Sequence, residues 1–213
     1  MKSSKSNLGF LISFFCSFLL GGILLFFIEK GAVVLFFNEH RTDFWTNFFY
    51  YFTKMGEEWA YVLSILIFSF LKKIRVAIAI ALTGFMTMIV SFAAKSFFHL
   101  PRPITFFSKK GLLNDILIPE GHKIYQGYSA FPSGHTMSAF ALFGLIALLL
   151  NGRNLLGFVF FSIAFLVGLS RIYLFHHFYE DVFFGALCGF LIAILFKKLL
   201  DQKHFLNGNL DKV

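Results

Sequence analysis

The stretch SNLGFLISFFCSFLLGGILLFFI, residues 6–28, holds 23 consecutive residues without a charge. As an α-helix it is long enough to cross the roughly 30 Å of a bilayer's hydrocarbon core. Lys2 and Lys5 precede it, as basic residues precede a secretory signal. However, the apolar part is longer than a signal's apolar region, and no small-x-small cleavage site closes it. The stretch reads as a retained first membrane span.

The whole chain shares this bias. Of its 213 residues 58% are hydrophobic, 20% aromatic and 14% charged, whereas soluble domains run at roughly 45–50% apolar and about 25% charged. Thirty-four Phe against eleven carboxylates cannot be hidden in one soluble core. Composition disfavours disorder, coiled coil and an ordinary soluble enzyme, and the excess of Phe reads as lipid-facing bulk. Val76 to Ala94 gives 19 uncharged residues and Asn154 to Ser170 gives 17. Three runs are shorter, Trp59–Leu71, Thr136–Leu150 and Val182–Phe196, at 13 to 15 residues each. They reach spanning length if their polar N-terminal flanks join the same helix. The expected fold class is therefore all-α, an integral membrane bundle of six transmembrane helices. It forms one domain over residues 1–213, without internal repeats. The aromatic and polar stretch Phe44 to Met55 is expected along the interface. Cys16 and Cys188 fall mid-span and read as small hydrophobes.

Six spans put both termini on one side of the membrane. With them lie the short connections at residues 72–75 and 151–153. That side holds ten cations, namely Lys2, Lys5, Lys72, Lys73, Arg75, Arg153, Lys197, Lys198, Lys203 and Lys212, with two carboxylates, Asp201 and Asp211. Ten less two equals the chain's net charge of +8, and the other side holds nine of each sign. Cations dense in short loops and tails mark the cytoplasmic face. The formal charge thus reports orientation rather than a nucleic-acid partner.

Ionisable residues at a membrane boundary are costly, and they point to function. Three clusters fall on the outer side: Lys95 followed seven residues later by Arg102-Pro103, then Pro132-Ser133-Gly134-His135, then Ser170-Arg171 followed by His177 and Asp181. Each has a bland reading. Lys95 and Arg171 could anchor at the headgroups, Pro101-Arg102-Pro103 could end a helix and Ser133 could cap one. His177 and Asp181 could be a surface pair four residues apart. Together they gather three cations, two spaced histidines, a helix start and one carboxylate, a set suited to phosphoryl transfer. Arginine forks bind phosphate oxygens, a helix N-terminus offers free N–H groups and Gly134 admits the backbone closely. A carboxylate-backed histidine can act as nucleophile, and a second can protonate a leaving oxygen.

These three clusters resemble the K-x6-R-P, P-S-G-H and S-R-x5-H-x3-D signatures of the type 2 phosphatidic acid phosphatase (PAP2) superfamily, in order and in spacing. The resemblance implies a PAP2-like fold and a phosphatase of lipid phosphates or diphosphates that uses no metal or other cofactor. His177 would attack phosphorus to form a phosphohistidine and Asp181 would hold its ring. His135 would protonate the leaving lipid oxygen and then activate water. Lys95, Arg102, Ser133, Gly134 and Arg171 would cradle the phosphate. His176 misses the signature spacing by one residue.

An outward site favours outer-leaflet substrates such as undecaprenyl diphosphate, phosphatidic acid, phosphatidylglycerophosphate or a lipid A phosphate. The chain's compactness suits an enzyme of a bacterial inner membrane. The linking stretch Ile104–Phe131 mixes Lys109, Lys110 and Lys123 with Phe106, Phe107 and Ile116 to Ile118. It reads either as a lipid-facing entrance or as an ordinary surface loop. Alternatives with the same residues are a phosphotransferase, a transporter or pore, and a metallohydrolase drawing on His99, His122, His135, His176, His177 and Asp181.

Overall fold

The computed structural model describes residues 7–113, 116–117, 125–150 and 152–202. Lys2, Lys5, His122, Lys123, Lys203 and Lys212 fall outside them. The chain runs through α1 (Leu8–Phe27), α2 (Ala32–Glu39), α3 (Asp43–Phe52), a 3-10 turn (Thr53–Gly56), α4 (Glu58–Phe70), α5 (Ile74–Phe98), α6 (Pro103–Lys109), α7 (Gly134–Leu149), α8 (Asn154–Tyr173) and α9 (Tyr179–Asp201). Among the described residues there is no strand.

Four helices, α1, α5, α8 and α9, are long and apolar enough to cross a membrane, and α4 and α7 are apolar but shorter. The polar flanks join these helices only in part. Gly134 and His135 enter α7 and Asp181 enters α9, but His177 stays outside. The shortness of α7 has a physical counterpart in its surroundings. Met137, Phe140, Leu142 and Leu145 are all buried on it, so protein rather than lipid surrounds most of its length.

Lipid removes the hydrophobic drive between helices, so packing rests on close approach at small residues. Gly189 on α9 illustrates this, since a Cβ there would stand 2.3 Å from the Met137 carbonyl oxygen. The aromatic content divides in two. Phe10, Phe14, Phe140, Phe161 and Phe190 stack and cross in the core. Phe26, Phe27, Phe70, Phe92 and Phe97 point outward, as lipid-facing bulk would. Cys16 is also exposed, on the outside of α1, so it is not a buried thiol.

One end of the bundle is tied by Asn7, whose amide donates to the Leu150 and Arg153 carbonyl oxygens at 3.0 and 3.1 Å. Arg75 donates to the Gln202 carbonyl at 3.4 Å. The start of α1 thus meets the connection from α7 to α8 at Leu150 and Arg153, and the connection from α4 to α5 meets the C-terminal end of α9 at Gln202. The stretch Ile104–Phe131 is more than a loop. It contains all of α6 but its first residue, and Ile104, Phe107 and Ile116 are buried with Val34, Ile172, Phe175 and Phe178 in a second small core. The segment Phe44 to Met55 forms most of α3 and most of the 3-10 turn, with Phe49 packed on Tyr173 at 4.8 Å between ring centroids.

Two glycine substitutions separate close packing from ordinary contact. Gly189→Ala should destabilise the protein by about 1–3 kcal/mol through overpacking. Gly22→Ala should be close to neutral, because its new methyl would meet only Phe183, at 3.6 Å. Thermal unfolding in detergent checks both, and equal midpoints would contradict this account of α7–α9 packing.

Candidate active site

All three sequence clusters meet at the end of the bundle opposite Asn7. The first contributor is the turn between α8 and α9. Phe175 adopts φ +63°, and the chain reverses so that the His176 and His177 amides both donate to the Arg171 carbonyl, at 3.0 and 3.1 Å. Asp181, in the first turn of α9, accepts from the Phe178 amide at 2.9 Å. The same oxygen lies 3.4 Å from His177 Nδ1. Both side chains are buried, so this is not a surface pair. The Asp181 carbonyl also accepts from the Ser133 amide at 2.9 Å, which fixes the start of α7 against α9.

Arg102 stands between the left-handed end of α5 at His99 and Pro103, the first residue of α6. Its guanidinium is held on several sides. Nε and one terminal nitrogen donate to the Ser129 hydroxyl and carbonyl, each at 3.3 Å. The other terminal nitrogen donates to the His176 carbonyl at 3.1 Å and stands 3.5 Å from His177 Nε2. The Tyr125 ring packs against the guanidinium at 5.1 Å.

Arg171 is buried in the last turn of α8 and donates to the Thr53 hydroxyl at 2.8 Å. Its Nε has no partner among the described residues. Lys95, in the last turn of α5, is half-buried. A Cβ on Gly134 would stand 3.3 Å from Ser91 Oγ and 3.5 Å from the Lys95 ammonium, so the start of α7 lies against this cation. Ser133 is the N-cap residue of α7, yet its hydroxyl makes no capping bond. It accepts instead from Thr136 Oγ1 at 2.8 Å. His135 lies half-buried in the first turn of α7, with Nε2 3.7 Å from Glu57.

Lys95, Arg102, Ser133, Gly134, His135, Arg171, His177 and Asp181 thus lie at one end of the bundle, with His177 touching both Arg102 and Asp181. The His176 ring meets the Tyr125 ring edge-on at 4.8 Å. Thr53, Glu57, Tyr125 and Ser129 were not legible as site residues. They carry no motif spacing, and the first two adjoin a stretch whose aromatics dominate its reading. Among the described residues no three His, Cys, Asp or Glu side chains converge as a metal would require.

Burial, together with Arg102, Arg171 and Lys95, pushes the His177 ring well below the usual histidine value. Its neutral form persists, with Nδ1 toward the carboxylate and Nε2 toward the arginine. Three cations near a neutral, carboxylate-backed histidine form an arrangement that can hold an oxyanion against a basic ring nitrogen. A cleft of about 810 Å³ opens beside it between α4, α5 and α7. Lys95, Gly134 and His135 form its polar end, and Ile65, Phe85 and Phe92 line its apolar part.

The family model described as "PAP2 superfamily" matches residues 59–205. Over 126 residues the chain is 37% identical to a probable diacylglycerol pyrophosphate phosphatase 1 from Schizosaccharomyces pombe, covering 51% of this chain and 45% of that protein. Over 83 residues it is 37% identical to lipid phosphate phosphatase 1 from Arabidopsis thaliana, covering 33% and 25%. The chain therefore spans less than half the length of these relatives. Among solved structures, LpxE from Aquifex aeolicus matches with a TM-score of 0.65 at 27% identity, over 79% of this chain and 94% of that one. A transmembrane PAP2 type phosphatidylglycerolphosphate phosphatase from Bacillus subtilis matches in fold with a TM-score of 0.66 at 21% identity, over 91% and 98%.

The environment of His177 has a spectroscopic consequence. In histidine-labelled protein its ring should keep neutral-form NMR shifts from about pH 7.5 to 5.5, where an ordinary histidine takes up a proton. An unfolded chain would bind that proton and the folded one would not. This group therefore lowers stability as the pH falls through about 6.5. Titration of His177 near the ordinary value would contradict the geometry.

Proposed function

The chain belongs to the PAP2 superfamily, and from that membership and the geometry at His177 we propose that it is a membrane phosphatase of lipid phosphates or diphosphates. One observation carries the reading. A buried histidine is held by Asp181 at one ring nitrogen and faced by Arg102 at the other. That arrangement suits attack of Nε2 on a phosphorus whose oxygens the cations neutralise.

In the first step the His177 Nε2 lone pair forms a bond to phosphorus while the bond from phosphorus to the lipid oxygen breaks. His135 gives that oxygen a proton, and the lipid alcohol or lipid monophosphate leaves. Asp181 keeps the Nδ1 proton in place and offsets the charge on the phosphorylated ring. In the second step a water loses a proton to His135 and its oxygen attacks phosphorus. The P–N bond breaks, releasing inorganic phosphate and restoring both rings. Lys95, Arg102 and Arg171 hold the equatorial oxygens, with the Ser133 hydroxyl and the amides at the start of α7.

The cleft beside His135 supports an amphiphilic substrate, with phosphate at its polar end and an acyl or prenyl tail along Ile65, Phe85 and Phe92. All six apolar helices cross the membrane in this reading, with α4 and α7 completed by their flanks. The cation-rich loops face the cytoplasm and the site faces outward, at a bacterial inner membrane. Undecaprenyl diphosphate, phosphatidic acid, phosphatidylglycerophosphate and a lipid A phosphate all have the required form.

Phosphate release from a panel of these lipids by protein purified in detergent tests the proposal. His177→Ala should abolish release, while His176→Ala should keep most of it. Asp181→Asn should reduce kcat more than it raises KM, because it disturbs the ring's orientation and not the cradle. Inactive wild-type protein on every lipid, or greater loss from His176→Ala than from His177→Ala, would overturn the assignment.

A further inference from the structure

The segment joining α3 to α4 lies just before the region matched by the family model, and no signature residue falls in it. Nonetheless it reaches the site twice. Thr53, at its start, accepts the Arg171 hydrogen bond at 2.8 Å. Glu57, at its end, places Oε1 3.7 Å from His135 Nε2. Gly56 makes this approach possible, because a Cβ there would lie 2.8 Å from both the His135 carbonyl oxygen and Val167. The turn is thus pressed onto the first turn of α7 with no room for a side chain.

The charges around His135 come from several elements. Lys95 on α5, Arg171 on α8, and His176 and His177 in the turn beyond it all act on the ring. Of these, Lys95 and Arg171 carry positive charge. Glu57 stands against them, within electrostatic reach of both Arg171 and His135. It also lines the cleft beside His135. A ring that must donate a proton in one step and take one up in the next needs a counter-charge and one fixed tautomer. For His177 those come from Asp181. For His135 the only carboxylate paired with it among the described residues is Glu57.

We propose that Glu57 is the positioning residue of His135, binding Nε2–H and stabilising the cationic ring so that the other nitrogen serves the lipid oxygen. The inference rests on the reading of His135 as proton donor to the leaving group. The 3.7 Å separation is longer than a hydrogen bond, and such contacts commonly tighten when substrate binds. When His135 gives up its proton, the remaining one stays on Nε2 beside Glu57. When water is deprotonated in the second step, the cationic ring is restored against the same carboxylate.

Leaving-group dependence separates this role from a structural one. A lipid alkoxide needs a proton in order to leave, whereas p-nitrophenolate departs without one. In Glu57→Gln the ratio of turnover on dioleoyl phosphatidic acid to turnover on p-nitrophenyl phosphate should fall about tenfold or more. The folded fraction cancels from that ratio. Glu57→Asp should restore part of it. In Glu57→Gln the alkaline limb of kcat on the lipid should move to lower pH, because the cationic ring has lost its counter-charge. In a His135→Ala background, Glu57→Gln should leave the ratio where His135→Ala alone puts it. An unchanged ratio in Glu57→Gln would overturn the role of Glu57 while leaving the phosphatase reading intact. Wild-type protein inactive on both substrates would overturn that reading and this inference with it.

Discussion

The site is organised around one buried carboxylate. Asp181 binds the His177 ring and the Phe178 amide through a single oxygen, and through its own carbonyl it holds the Ser133 amide. The nucleophile candidate, the entry into α9 and the start of α7 are therefore fixed relative to one another by one residue. Burying a charge without partners is expensive, and Lys30, Arg102 and Lys95 all act electrostatically on this carboxylate. The cations are thus part of what allows Asp181 to sit there. Removing its charge would loosen the ring, whereas the backbone bond that joins the two helices at Ser133 would remain.

Around that centre the bundle works under the constraint that lipid gives helices no hydrophobic reason to associate. Close approach at Gly189, Gly185 and Gly168 supplies contact instead. At Gly185 a Cβ would stand 2.8 Å from the Ser133 carbonyl, so packing and site geometry depend on the same glycine. The second core beneath α6, built from Phe107, Phe175 and Phe178, carries the turn that presents His177. Its rigidity comes from ring packing on both sides of that turn.

Much of this was legible in the sequence. Long uncharged runs gave α1, α5 and α8 with small errors at their ends, because hydropathy over some twenty residues is a strong signal. Residue type and spacing marked Lys95, Arg102, His135, Arg171, His177 and Asp181. The contacts of Thr53 and Glu57 were hidden because they depend on a tertiary approach through Gly56, which leaves no local pattern. The helix α6 was hidden for a related reason. Its seven residues begin at a proline and are short of two turns, and packing against Val34, Phe175 and Phe178 stabilises them. Ser133 occupied the capping position that its residue type suggested, yet its hydroxyl bonds to Thr136. Residue type fixes what a group can do, and its neighbours decide what it does.

The central claim is that phosphorus becomes bonded to His177 during turnover. Rapid quenching of wild-type protein with phosphatidic acid labelled in its phosphate, followed by peptide mapping, addresses this directly. The account predicts an acid-labile, base-stable label on His177 that decays as inorganic phosphate appears. Label on any other residue, or phosphate released with no labelled protein at any quench time, would contradict it.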